Sequence, residues 1–409
     1  MRIAMIDPSL FTLPYDRALA VGLGQTGHQV TLHGRRAEAA DGDPGDVRPL
    51  GDFYRIAGSR LLRRAPRKLR LAAKGVDHAW SMLRLLRRLR QNRPDVIHFQ
   101  WLALPVLDGR FLPALRRIAP LILTVHDTNP FNGDPAARVQ NIGFAAALGG
   151  FDQLIVHTQQ GQDRLRSRGL ASDRITVLPH GPLTEASPAP LPSDRNDVAE
   201  TIFLLFGKIK PYKGLDLLIE AFAQMPPALR ARARIRVVGK PYMDLAPIHS
   251  LAERLGVADR LTIEAGFVSD ADVPALFGPG TVAVFPYREI EASGVLALAT
   301  GFGCPIIASR LGSFAETVID GEHGHLVESG DVPALATAMA HMVEDPAFAV
   351  RCSEAVRSAA EAAQGWDEIA QRTARVYDTA LARRRRELQE AGASRSERKN
   401  LPFRHRETT

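Results

Sequence analysis

The sequence predicts an α/β protein built from two doubly wound parallel-sheet domains that face each other across a cleft, and three observations carry that expectation. Short β-branched runs alternate with amphipathic stretches along most of the chain, the pattern of parallel sheets covered by helices on both faces. A Pro- and Ser-rich stretch without an apolar period, Thr184 to Asp197, cuts that pattern into two halves. At 409 residues the chain is long for one domain and ample for two.

In the first half, strands are expected at Arg2–Ile6, His28–His33, Asp95–Phe99, Leu121–Val125, Gln153–Val156 and Ile175–Leu178, with helical patterns between them. The second half repeats the arrangement at Thr201–Phe206, Arg234–Val238, Leu261–Glu264, Val282–Phe285, Pro305–Ala308 and His325–Val327. Residues 1–183 are thereby assigned to the first domain, 184–200 to a linker and 201–365 to the second domain. A helix over 366–390 is expected to pack back toward the first domain. The polar, basic residues 391–409 have little apolar surface to bury and are expected to be disordered. Doubly wound sheets bind ligands outside the carboxyl ends of their strands, so the site is expected in the cleft.

Composition narrows the classes further. Hydrophobic residues make up 45% and charged residues 24%, which excludes general disorder. Cys304 and Cys352 are too few for a disulfide framework and too far apart for a CxxC pair, so a reducing compartment fits. The most apolar run, Gly294 to Ala308, is broken by Gly301, Gly303 and Pro305 and is too short to span a membrane. The start of the chain reaches Asp7 without a long apolar region, so no signal peptide is expected and the location is expected to be cytoplasmic. The formal charge is +7 and uneven: between Gly51 and Pro120 sixteen Lys and Arg stand against four Asp. Such a field favours an anionic partner.

Several motifs have ordinary readings. Gly22-Leu-Gly24-Gln-Thr-Gly27 has the spacing of a dinucleotide fingerprint but lies after a helical pattern and before a strand, the reverse of what that fingerprint needs, so it reads as a helix end and turn. Asp41-Gly-Asp43 and Asp270-Ala-Asp272 could ligate a divalent metal, but loop solvation and helix capping suit them better. Two constellations are sharper. In Gly207-Lys208-Ile-Lys210-Pro-Tyr-Lys213-Gly214, a strand ends at a glycine, lysines fill the loop and a second glycine opens a helix, which suits a diphosphate. In Glu289-Ile-Glu291-Ala-Ser293-Gly294-Val295, acids precede a Ser-Gly helix start. The carboxylates could accept hydrogen bonds from sugar hydroxyls while the amides hold a phosphate. An ordinary basic loop and a surface acidic loop are the plain alternatives.

The chain resembles GT-B glycosyltransferases, and most of all glycosyltransferase family 4, the group 1 transferases. The resemblance runs from Arg2 to about Glu344. It rests on Gly27-His28-Gln-Val30, Pro94-Asp95-Val-Ile-His98, Thr124-Val-His126-Asp127, Val177-Leu-Pro179-His180-Gly181, Gly207-Lys208 to Lys213-Gly214, Gly303-Cys-Pro305, Gly312-Ser-Phe-Ala-Glu316 and Gly321-Glu-His-Gly324-His-Leu326. It implies two Rossmann-like domains, with the acceptor in the first and a nucleoside diphosphate sugar in the second. Lys208 and Lys213 would grip the donor diphosphate, with Gly207 and the amides of Ser293, Gly294 and Val295 completing the donor site, and His126 would contact the donor sugar. The family's glutamate pair, eight positions apart, falls on Ile290 and Leu298, neither of them acidic. Glu289 or Glu291 then takes the first place by a one-residue shift, and Glu316 is a candidate substitute for the second, with a structural role such as capping as the plain alternative.

The resemblance further implies transfer to an acceptor, a lipid-linked glycan in polysaccharide or glycoconjugate synthesis, with retention at the anomeric carbon and with no metal or cofactor. Leucines recur at helical spacing within the basic region, and docking of Arg63, Arg64, Arg67 and Lys68 on an anionic inner-membrane surface is expected. A solvated basic helix is the plain alternative, and no nucleic-acid motif accompanies the charge. Two other function classes stay open on the sequence: a nucleotide-sugar epimerase of the same architecture, and a non-catalytic protein that binds sugar nucleotides or membranes.

Overall fold

The computed structural model describes residues 1–38, 41, 47–56, 66–129, 142–182, 200–269 and 271–399. The first half contains β1 (Arg2–Ile6), α1 (Leu13–Gln25), β2 (Gln29–His33), α2 (Arg67–Asn92), β3 (Val96–Phe99), α3 (Pro105–Arg116), β4 (Leu121–Val125), α4 (Phe144–Leu148), β5 (Gln153–Val156), α5 (Gln159–Ser167) and β6 (Ile175–Val177). The second contains β7 (Thr201–Phe206), α6 (Leu215–Gln224), α7 (Pro227–Arg230), β8 (Ala233–Gly239), α8 (Ala246–Arg254), β9 (Leu261–Ala265), β10 (Thr281–Phe285), α9 (Gly294–Gly301), β11 (Ile306–Ser309), α10 (Gly312–Thr317), β12 (Gly324–Val327), α11 (Val332–Glu344), α12 (Pro346–Ala362) and α13 (Trp366–Lys399). Every strand expected from the sequence is present, its ends shifted by no more than one residue.

The strands form two six-stranded sheets, ordered β2-β1-β3-β4-β5-β6 and β12-β11-β10-β7-β8-β9, with every pairing parallel. Central strands such as β3, β4, β10 and β11 are buried at every residue, which is why their sequences read as unbroken apolar runs rather than alternating ones. The chain thus folds as two Rossmann-like domains. Strand order reverses between β1 and β3 in the first sheet and between β7 and β10 in the second. Crevices open at such reversals because the connections leave toward opposite faces of the sheet.

Each sheet is covered on both faces. One face of the first sheet packs on α2 to α5, and the other on α1 together with Ile369, Ala370, Val376 and Tyr377 of α13. The last helix therefore completes the core of the first half. Gly22 makes this possible, since a Cβ there would stand 2.9 Å from the Trp366 carbonyl oxygen, and Gly22 and Gly24 belong to α1 itself. The sequence reading ended that last helix at 390 and expected disorder from 391, but α13 continues to Lys399. Its polar residues are mostly strong helix formers. Its Arg384 guanidinium donates to the Arg116 and Arg117 carbonyls at the end of α3, and Arg116 bridges to Glu387 at 3.1 Å. The expected linker lies almost entirely outside the described residues, as do 400–409. Cys304 and Cys352 are free and buried. Among the described residues, no helix is long and apolar enough to cross a membrane.

Candidate active site

Both strand-order reversals open into the same cleft. On the C-terminal side, β7 ends at Phe206 and the loop turns at Gly214, whose backbone is left-handed (φ +67°) and where a Cβ would lie 2.0 Å from the Pro286 carbonyl oxygen. Only glycine fits there, and it lets the loop after β7 lie directly against the loop after β10. Lys213 is thereby turned inward and is only 5% exposed. Its Nζ donates to the Phe206 carbonyl (3.1 Å) and stands 5.2 Å from the centre of the Tyr287 ring. Among the described residues these contacts include no carboxylate. Burial first, then repulsion from Lys208 and Lys210, lowers its pKa to about 7. The Lys208 ammonium lies 4.9 Å from the Phe11 ring of the other half, and desolvation, then Lys210 and Lys240, pull its pKa down.

Helix α9 begins beside these lysines. Ser293 is its N-cap, with Oγ accepting from the Leu296 amide at 3.3 Å, and Gly294 and Val295 follow as its first residues. Gly207 sits between the two parts: a Cβ built on it would lie 3.1 Å from Lys213 Nζ and 3.2 Å from Val295 Cγ2. The structure therefore brings Gly207, Lys208, Lys213, Ser293, Gly294 and Val295 together at one crevice. Two ammonium groups beside free helix amides suit a polyanion such as a diphosphate.

On the N-terminal side, His126 follows β4 and is half-buried. Its Nδ1 is 2.9 Å from His157 Nε2 and its Nε2 is 3.3 Å from the Gln100 side chain. Burial, then the neighbouring histidines, holds its pKa well below the usual histidine range, so the ring is neutral. Asp127, next in the chain, is pushed up to about 7 by burial, with repulsion from Glu291 and Glu289 adding to the shift. A cavity of about 230 Å³ joins the halves, lined by Phe11, Trp101 and Asp127 on one side and by Lys208, Lys210 and Glu291 on the other. A second, of about 200 Å³, has His157 and His180 on one wall and Ser293 and Glu316 on the other.

The acidic residues make contacts across the two halves. Glu291 is buried and bridges the halves, with one carboxylate oxygen accepting from the Thr128 amide (3.0 Å) and the Thr128 hydroxyl, and Arg164 Nη1 at 3.4 Å from it. Glu289 accepts from Asn129 Nδ2 at 3.2 Å. Glu316, read from the sequence as a donor contact or a cap, accepts from the Gln159 and Gln160 amides (3.0 and 3.1 Å) and so caps the start of α5 across the cleft. Ile290 and Leu298, at the family's glutamate positions, pack against the core. Sequence reasoning missed Gln100, Thr128, His157 and Arg164. The signal for three of them was available, because each stands within three residues of the end of a predicted central strand.

Of the metal-binding possibilities, Asp41 is held by Arg35 at 2.6 Å and Asp272 by Ser269 at 2.6 Å, while Asp43 and Asp270 lie outside the described residues. Among the described residues, no group of three or more His, Cys, Asp or Glu is arranged to hold a metal ion. Of the four basic residues expected at a membrane, Arg63 and Arg64 lie outside the described residues, and the backbone of Arg67 and Lys68 forms the first turn of α2.

The chain is similar to known proteins along both halves. The family model for glycosyl transferases group 1 matches residues 192–359, and that for glycosyltransferase family 4 matches 17–185. The D-inositol 3-phosphate glycosyltransferase of Streptomyces coelicolor is 30% identical over 363 residues, covering 79% of this chain and 76% of its own. Among solved structures, the sucrose-phosphate synthase of Thermosynechococcus elongatus superposes with a TM-score of 0.71 at 22% identity, covering 93% of this chain and 99% of its own. Anabaena HepE, solved with UDP and glucose, gives 0.69 at 18% identity, covering 93% and 100%. Two matched halves, a GT-B architecture and this level of identity place the chain in one family: it belongs to the group 1, family 4 glycosyltransferases.

Proposed function

We propose that this glycosyltransferase binds a nucleoside diphosphate sugar where β7 and β10 diverge and transfers the sugar, with retention, to a lipid-linked glycan at the cytoplasmic face of an anionic membrane. The observation that carries the donor assignment is Lys213, a buried lysine whose contacts are a carbonyl oxygen and a ring face, standing beside Lys208 and the start of α9. A diphosphate entering that crevice would supply the missing negative charge. HepE, solved with UDP and glucose, supports a uridine nucleotide. His126 faces the transferred sugar from the other half.

In the transfer, the acceptor hydroxyl oxygen bonds to the anomeric carbon on the face from which the diphosphate leaves. The bond from that carbon to the phosphate oxygen breaks with its electron pair, and the acceptor proton passes to the departing phosphate oxygen. Lys208, Lys213 and the α9 amides stabilise the charge that develops on the leaving group. No metal is assigned a part in this step, and no side chain forms a covalent bond to the sugar.

The membrane reading rests on α2. Leu69, Val76, Trp80 and Leu83 are 56, 72, 49 and 38% exposed, and their spacings of seven, four and three align them on one outward stripe. Exposed Arg70, Arg87 and Arg90 lie on the same helix. An apolar stripe beside arginines suits the boundary of an anionic bilayer. A soluble phosphorylated polyol is the second reading for the acceptor, favoured by the name of the Streptomyces coelicolor relative. Cosedimentation with phosphatidylglycerol vesicles separates the two. The membrane reading expects salt-sensitive binding that Trp80→Ser with Leu83→Ser abolishes, while slow hydrolysis of the donor continues. A wild-type chain that ignores the vesicles at low salt would leave the soluble acceptor as the better reading.

A further inference from the structure

Three neighbouring strand ends form a directed chain of hydrogen bonds. Strands β4, β5 and β6 are parallel and in register, Val125 beside Val156 and Val156 beside Val177. The residues that follow, His126, His157 and Leu178, therefore stand side by side. His157 Nδ1 lies 3.0 Å from the Leu178 carbonyl oxygen, and His157 Nε2 lies 2.9 Å from His126 Nδ1.

The direction of this chain follows from one fact: a carbonyl oxygen only accepts. Nδ1 of His157 must therefore carry its hydrogen. Burial holds the His157 pKa at about 3 and that of His126 well below the usual value, so each ring carries a single N–H. His157 Nε2 is then a lone pair, and the hydrogen between the two rings belongs to His126 Nδ1. That leaves His126 Nε2 as a lone pair too. The structure sets Gln100 Oε1 3.3 Å from this nitrogen and Gln100 Nε2 3.5 Å from His98 Nδ1, and exchanging the oxygen and nitrogen of the carboxamide end for end, which leaves the heavy-atom positions unchanged, turns the NH₂ group toward the lone pair. The Tyr15 ring packs edge-on against both imidazoles, 4.8 and 5.2 Å between centres, and keeps them in place.

We infer that His157 is a positioning residue which, through the Leu178 carbonyl, locks His126 in the Nδ1–H tautomer, so that His126 Nε2 has no hydrogen to donate to a phosphate oxygen and, when a hydroxyl of the bound sugar displaces the Gln100 carboxamide, accepts a hydrogen bond from that hydroxyl. The functional half of this statement rests on the donor reading above. The structural half stands without it. Loss of His157 removes the acceptor for the Nδ1 hydrogen, and His126 reverts to the Nε2–H form that free neutral imidazole prefers.

The test uses the full chain labelled with ¹⁵N in histidine only, with the His126 ring signals identified by their disappearance in His126→Gln. The wild type is expected to show His126 as Nδ1–H at neutral pH. His157→Gln, whose side-chain oxygen can still take the His126 hydrogen, is expected to keep that form, and His157→Leu to convert it to Nε2–H. Turnover should fall about tenfold or more in His157→Leu and less in His157→Gln, with UDP affinity unchanged in both. An Nε2–H signal for His126 in the wild type overturns the inference, and so does an unchanged Nδ1–H form in His157→Leu. If His157→Leu does not fold, the wild-type and His157→Gln spectra still decide. Expected tautomers in a chain that transfers no sugar would break the donor reading and leave this inference standing. Sugar transfer by a chain with the other tautomer would break this inference alone.

Discussion

Where the first sheet reverses its strand order, the polar groups at the strand ends are neutral or already matched. His98, His126 and His157 are held uncharged by burial, the Asp7 and Asp16 carboxyls are pushed up by burial, and Asp127 is raised to about 7. Where the second sheet reverses, the groups are lysine amines. Lys208 and Lys213 are partly or wholly desolvated, and both have depressed pKa values. The same topological feature has therefore been given opposite chemistry in the two halves. One side waits for an anion, and the other offers directional hydrogen bonds of fixed polarity. A transferase that must bind a doubly charged leaving group and a neutral sugar next to each other has a use for both.

The sharpest break of this contrast is to remove the cations. Lys213→Ala should lower turnover by about 10²-fold or more while keeping the fold, and Lys208→Ala by about 10²-fold, because on the proposed reading each removes a charge-assisted contact to the leaving group. Steady-state kinetics beside circular dichroism would check both, and wild-type turnover in either variant would remove the diphosphate role. On the neutral side the expected effect is smaller and different in kind. On the proposed reading, in which the histidine meets the sugar and not the phosphates, His126→Ala should lower kcat on the order of tenfold with little change in UDP affinity. Equal losses in kcat and in UDP binding would erase the distinction between the halves.

The smallest effect concerns the contacts that join the two regions. Glu316→Ala should cost no more than about 1 kcal/mol of stability, the loss of a helix cap at an exposed position. Differential scanning calorimetry would read it. A loss of several kcal/mol would mean that Glu316 holds the halves together rather than capping one helix.

Much of this was legible in the sequence. Parallel strands buried on both faces leave unbroken β-branched runs, and all twelve were placed from them. The lysine loop was legible because a glycine, lysines and a second glycine between a strand and a helix leave few other local structures. Capping was one of the two roles open to Glu316, but which helix it caps was not legible, because spacing along one chain does not say which side of a cleft a carboxylate will meet, and its partners are backbone amides 157 and 156 residues away. His157, one residue past the expected strand Gln153–Val156, was given no role. Its meaning depends on the register of β4, β5 and β6, a property of three segments at once. The far end of α13 was read as disorder because its low apolar content was weighed without its helix-forming residues.

The central claim is that Lys213 is the buried cation which the donor diphosphate neutralises, and proton uptake on binding tests it most directly. With a pKa of about 7 in the free protein, Lys213 is largely neutral at pH 8. A bound diphosphate favours the charged form and raises the pKa toward the ordinary lysine value, so binding should draw a proton from solution and UDP affinity should fall as pH rises above 7. Calorimetry of UDP binding at pH 8, in two buffers of different ionisation enthalpy, should show uptake approaching one proton in the wild type and none in Lys213→Ala. Tight UDP binding without proton uptake, or the same uptake in both proteins, would contradict the account.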